Sequence, residues 1–207
     1  MHRTRIKICG LTREEDVRAV VESGADAIGF VFYPPSPRYV SFQRAAELAR
    51  LVPPFVTIVG LFVNPARHYV EEALETVPLQ VLQFHGDESE ADCTGYGLPY
   101  LKAARMRPGL DLLKYAASFS SAQGLLLDAF VEGYGGGGET FDWSLIPSVL
   151  PLPLILSGGL HAGNVAEAVR CVRPWAVDVS SGVEAAKGIK DAARITEFVA
   201  GVQNAHG

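Results

Sequence analysis

Short apolar runs alternate along the chain with longer stretches in which apolar residues return every three or four positions. The runs occupy residues 5–9, 27–32, 55–63, 79–84, 99–104, 123–128, 152–156 and 175–179, each bounded by turn-forming residues. Runs of this length read as strands buried on both faces, as in a parallel sheet. Between them, helical spacing recurs at Val17, Val20 and Val21, then at Ala45, Leu48, Ala49 and Val52, and then at Val70, Ala73, Leu74 and Val77. It returns at Leu110, Leu113 and Ala117, at Val165, Ala168, Val169 and Val172, and in the last helix at Ile195, Phe198, Val199 and Val202. Thr12 and Glu15 fit a capping box for the first helix, Pro53-Pro54 breaks the second, and Asn64-Pro65 opens the third. A strand-helix rhythm of this kind predicts an α/β fold, here a single-domain (β/α)8 TIM barrel over residues 1–207. At this length the loops of such a barrel must be short.

In a barrel the chemistry belongs to the C-terminal ends of the strands. Two of those ends stand out. Residues 152–156 run into Ser157-Gly158-Gly159, and residues 175–179 run into Ser180-Ser181-Gly182, roughly one strand-helix repeat later. Glycine and serine leave backbone N–H groups uncovered, and such concavities hold phosphate. The loops after the seventh and eighth strands of a barrel are where a phosphate usually sits, so Gly158, Gly159, Ser180, Ser181 and Gly182 are the candidate phosphate site.

Period-two geometry sends Ile6 and Ile8 to one face of the first strand and Arg5, Lys7 and Cys9 to the other. Cys9 then points inward at the barrel mouth. It is either a small buried hydrophobe or, with the Lys7 ammonium lowering its pKa, a general base. Asp128 ends the sixth strand on the face of Leu126. A carboxylate buried there without a partner is raised toward the neutral acid and can deliver a proton; the other reading is an aspartate that caps the next helix. Three prolines stiffen the loop from Tyr33 to Val40, so Arg38 can be held at a fixed distance from a ligand carboxylate. The glycine-rich stretch Gly133–Gly138 falls at the same end and reads as a cover over the site.

Composition narrows the partners. Of 207 residues 48% are hydrophobic and 20% charged, which suits one domain with a substantial core. The net charge of −5 comes without a Lys/Arg block, so neither nucleic acid nor an anionic membrane is expected as a partner. The cysteines number three, too few and too scattered for a disulfide framework, and no apolar run approaches a membrane span. A cytoplasmic location and a small phosphorylated substrate are the expectations, and the sequence offers no metal-ligand cluster.

Lys7-Ile-Cys-Gly-Leu-Thr12 resembles the opening signature of the phosphoribosylanthranilate isomerases of tryptophan biosynthesis. Further motifs are similar: Ser36-Pro37-Arg38; Gln83-Phe84-His85-Gly86, with phenylalanine for leucine; Leu127-Asp128-Ala129; and Phe141-Asp142-Trp143. Leu156–Leu160, Val177–Glu184 and Gly188–Asp191 also follow the pattern, while Gly137 replaces a threonine and Lys187 a proline. The resemblance implies an isomerase that converts an aldose to a ketose by an Amadori rearrangement, with Asp128 as general acid and Cys9 as base. It implies substrate contacts from Lys7, Arg38, His85 and Asp178, with Arg38 at the anthranilate end. No metal or organic cofactor is called for, and the enzyme would be a monomer or homodimer. Two alternatives remain: another phosphosugar isomerase barrel, such as ProFAR isomerase, which would use two aspartates, and a barrel that binds phosphate without catalysis.

Overall fold

The computed structural model describes residues 3–107, 109–129 and 140–205. The strands are β1 (Arg5–Cys9), β2 (Ala27–Val31), β3 (Thr57–Phe62), β4 (Val81–Phe84), β5 (Tyr100–Met106), β6 (Gly124–Ala129), β7 (Leu154–Leu156) and β8 (Ala176–Val179). Each pairs in parallel with the next, and β8 returns to β1 with Arg5 opposite Ala176 and Ile8 opposite Val179, closing the barrel. Around it lie α1 (Glu14–Glu22), α2 (Phe42–Ala49), α3 (Arg67–Thr76), α4 (Glu90–Cys93), α5 (Leu112–Ala117), α6 (Val165–Val172) and α7 (Ala192–Asn204). Between β6 and β7 the described residues carry only a 3₁₀ turn, Trp143–Leu145. After β8 a second 3₁₀ turn, Ser181–Val183, leads into a small antiparallel hairpin of β9 (Glu184–Ala186) and β10 (Ile189–Lys190). The glycine-rich stretch Gly133–Gly138 lies outside the described residues.

Alternation along each strand builds two separate cores. Ile6 and Ile8 face outward and pack in one buried cluster with Val17, Val20, Phe198 and Val202 of the helices. Leu125 and Leu127 likewise meet Leu112 and Ala116 outside the barrel, whereas Leu126 joins Ala103, Ile155 and Ala176 inside it. A second inner cluster near the mouth joins Cys9, Val31, Leu61 and Val63. Two expectations fail locally. Leu113 is 51% exposed, and the buried face of α5 is Leu112 with Ala116, because the Asp111 side chain accepts from Lys114 N–H and starts the helix at Leu112. The capping box at Thr12 does not form either: its hydroxyl donates to the Gly188 carbonyl at 2.6 Å, tying the end of the hairpin to the first loop, and α1 begins at Glu14 with no side-chain cap.

The turn after β4 is fixed from outside the barrel. Lys102, with no exposed surface, donates through Nζ to the Gly86 carbonyl at 2.7 Å and to Glu88 Oε2 at 3.0 Å. Glu88 in turn accepts from the backbone N–H of Asn64 at 2.8 Å and of Gly86 at 2.9 Å. An ammonium can be buried here because each of its hydrogens meets an oxygen. Lys102→Met leaves the Glu88 carboxylate buried without its counter-charge and is expected to cost about 3 kcal/mol or more in urea unfolding, the scale for breaking a buried pair. A cost below about 1 kcal/mol, the range of exposed pairs, would mean that this pair does not hold the turn.

Candidate active site

The C-terminal ends of the strands surround a cleft of about 710 Å³, the open solvent at its mouth included. Cys9, Arg38, His85, Asp128, Gly158, Gly159, Asp178, Ser180 and Ser181 all line it. Lys7 and Gly182 do not. Lys7 lies one step below Cys9 on the same face of β1, and Gly182 lies where the turns after β7 and β8 touch: a Cβ on it would stand 1.9 Å from the Leu160 carbonyl oxygen. Only glycine permits that backbone approach.

Gly158 and Gly159 both have left-handed backbones, φ 81° and 62°. Their N–H groups find no acceptor among the described residues, and the first N–H groups of the turn at Ser181 have none within a helix. Such uncovered N–H groups are the kind that can receive an anion. Each turn also meets one of the candidate residues, Asp128 through its carboxyl group and Cys9 through its backbone carbonyl. A Cβ on Gly158 would lie 3.1 Å from Asp128 Oδ1, and Ser180 Oγ donates to the Cys9 carbonyl at 2.9 Å.

Cys9 is buried, with its thiol seated over Gly29 of β2, where a Cβ would meet Sγ at 2.7 Å. Burial pushes the thiol above its ordinary pKa, helped by Asp178, and the opposing pull of Lys7 and Lys190 does not overcome it. The expectation that Lys7 would bring the thiol down is therefore corrected. Lys7 Nζ is bonded to Asp178 Oδ1 at 2.9 Å. Burial works against the Lys7 charge, but Asp178 and Cys9 outweigh it and hold the ammonium above its usual value.

Asp128 is not the unpaired carboxylate anticipated. Oδ1 accepts from its neighbour Ala129 N–H at 2.9 Å, and Oδ2 lies 3.0 Å from His85 Nε2. His85 Nδ1 is 3.1 Å from Gln83 Nε2, so a chain of side chains runs from the barrel interior to the carboxyl group. Gln83 went unrecognised in the sequence as part of the site, although period two places it on the His85 face of β4.

Arg38 crosses the mouth over Gly10, where a Cβ would stand 2.6 Å from its Cδ. Its Nε and Nη2 donate to the two oxygens of Glu184 at 2.7 and 2.9 Å. Lys190 Nζ reaches the same carboxylate at 2.9 Å and the Ser180 carbonyl at 3.0 Å. Burial favours the neutral acid of Glu184, but Arg38 and Lys190 prevail and keep it below the usual carboxylate range. For Lys190 burial wins, lowering it despite Glu184. Glu184 thus occupies one edge of the guanidinium and fixes its plane, leaving donors on Nη1 and Nη2 for a ligand. Glu184 and Lys190 were visible in the sequence only as members of motifs, with no sign of what they would pair with.

The sequence model described as N-(5'phosphoribosyl)anthranilate (PRA) isomerase matches residues 6–201. The N-(5'-phosphoribosyl)anthranilate isomerase of Dechloromonas aromatica is 68% identical over 203 residues, covering 98% of both chains. Its namesake from Methylibium petroleiphilum is 65% identical, covering 98% of this chain and 95% of its own. Among solved structures, the phosphoribosyl anthranilate isomerase of Thermotoga maritima superposes with a TM-score of 0.88 at 42% identity, covering 97% of this chain and 99% of that one.

The raised thiol predicts a pH response. In the unliganded protein, iodoacetamide alkylation of Cys9, followed by peptide mass spectrometry to separate it from exposed Cys171, should be slow at neutral pH. It should climb only at pH above about 8.5, the ordinary thiol value. Rapid alkylation at pH 7 would contradict the dominance of burial over Lys7 and Lys190.

Proposed function

The chain belongs to the N-(5'-phosphoribosyl)anthranilate isomerase family, and from that premise we propose how its cleft divides the work. The enzyme carries out the Amadori rearrangement of N-(5'-phosphoribosyl)anthranilate to 1-(2-carboxyphenylamino)-1-deoxyribulose 5-phosphate, a step of tryptophan biosynthesis. The substrate phosphate sits on the two glycine turns. One observation carries the rest: the turn after β7 abuts Asp128, and the turn after β8 abuts Cys9. A sugar attached to a phosphate held between the turns therefore has one of these groups on either side.

In this reading Asp128 protonates the furanose ring oxygen, the C1–O bond breaks, and the nitrogen lone pair forms a Schiff base at C1. Cys9 removes the proton from C2, the electrons move toward the iminium nitrogen, and an enolamine results. Its tautomerisation places a hydrogen on C1 and a carbonyl at C2, so the aldose has become a ketose with no net redox change. The iminium that forms on ring opening adds its charge to Lys7 and Lys190 in favouring a thiolate that burial disfavours. Lys7 and Asp178 act from beneath Cys9, as a charge pair that sets its surroundings. Arg38, its plane fixed by Glu184, presents its remaining donors to the anthranilate carboxylate.

Cys9→Ser supplies a hydroxyl that cannot serve as a base near neutrality, and Asp128→Asn keeps the shape but has no proton to deliver. Each variant is expected to fold and to lose at least ~10²-fold in kcat, with KM moving far less, in a steady-state assay of product formation. Near-wild-type turnover in either one would remove that residue from the chemistry.

A further inference from the structure

Gln83 has no exposed surface; it lies at the wall of the cleft and bonds there to His85. In the observed orientation its amide N–H meets His85 Nδ1 at 3.1 Å. A neutral imidazole carries one donor and one acceptor nitrogen, so an accepting Nδ1 puts the hydrogen on Nε2. That nitrogen is the one that stands 3.0 Å from Asp128 Oδ2. Reversing the amide would turn Oε1 toward Nδ1 and move the hydrogen there. In the observed orientation the amide N–H is used by His85 Nδ1, and the carbonyl Oε1 is buried with no donor reaching it.

We infer that Gln83 fixes His85 as the Nε2–H tautomer and through it positions the proton of Asp128. A histidine that can only donate toward Oδ2 offers no lone pair to the carboxyl hydrogen. The proton then cannot be drawn aside onto a hydrogen bond with the imidazole and stays available to the substrate ring oxygen. Once it has been delivered, the Nε2–H group remains to stabilise the carboxylate left behind. Gln83 is on this account a positioning residue that acts through His85. The inference rests on Asp128 being the acid.

The test is a ¹⁵N–¹H correlation spectrum of the full-length enzyme carrying ¹⁵N-histidine, with His85 assigned by its loss in His85→Gln. The wild type should show His85 protonated on Nε2 and not on Nδ1. Gln83→Glu replaces the donor with a carboxylate that accepts from Nδ1–H, so the tautomer should switch. Its kcat should fall at least about tenfold while KM stays within about twofold, the split that marks a transition-state effect. In the His85→Gln background the same substitution should change kcat no further, because there is no tautomer left to set. A wild-type His85 protonated on Nδ1 would overturn the inference whether or not any variant folds. So would a Gln83→Glu enzyme whose tautomer switches with kcat unchanged. Full turnover in Asp128→Asn would instead remove the acid role beneath it, and leaves a different signature, since the wild-type tautomer would still read Nε2–H.

Discussion

Pairing of β1 with β8 is the contact on which the rest of this molecule depends. It joins segments 171 residues apart, and with it Lys7 comes to lie opposite Asp178 and Cys9 beside Ser180. Closure also removes the two edges that an open parallel sheet would expose. The register follows from burial: a slip of one residue would turn Ile6 and Ile8 into the barrel and send Lys7 and Cys9 among the helices. An ammonium pointing into a barrel must meet a counter-charge, and only this register supplies Asp178. The same constraint that closes the fold thus places a thiol beside the glycine turn after β8.

Among the described residues, buried charge near the mouth is held in three closed groups. Lys7 has Asp178, Lys102 has Glu88 and three backbone carbonyls at its own level, and Glu184 has both Arg38 and Lys190. Each group lies beside a loop or a side chain at the mouth: Cys9, the turn that carries His85, and Arg38. Energetically such pairs break near even against apolar packing, so their gain lies in geometry. Cys9 shows the balance in the opposite direction, since burial raises its thiol and two ammonium groups do not overcome it. In the proposed mechanism its basic form is favoured by the iminium that forms on ring opening.

The barrel was legible in the sequence because both faces of its strands are buried, so that apolar runs, helical spacing and glycine turns each signal the same architecture. Period two also put Cys9 and Asp128 at the mouth. What the sequence did not disclose was pairing. Whether Arg38 meets Glu184, or Asp128 meets His85, depends on how strands far apart in the chain are set around the barrel, and no local pattern carries that. Lys7 does pull the Cys9 thiol down, but neighbours along one strand carry no sign of Asp178 across the barrel or of the cost of burial, which together outweigh it. Locally, two adjacent leucines at 112 and 113 left the face of α5 undetermined until the Asp111 cap set its start.

The central claim is that two chemical steps are separated between two side chains, ring opening at Asp128 and proton abstraction at Cys9. Substrate deuterated at C2 tests it most directly, through the isotope effect on kcat in each variant. With Asp128→Asn, ring opening limits the rate before the C2–H bond is touched, and deuteration should make no difference. With Cys9→Ser, removal of that hydrogen is limiting, and a full primary isotope effect should appear. The reverse pattern, or equal isotope effects in both variants, would contradict the division of labour.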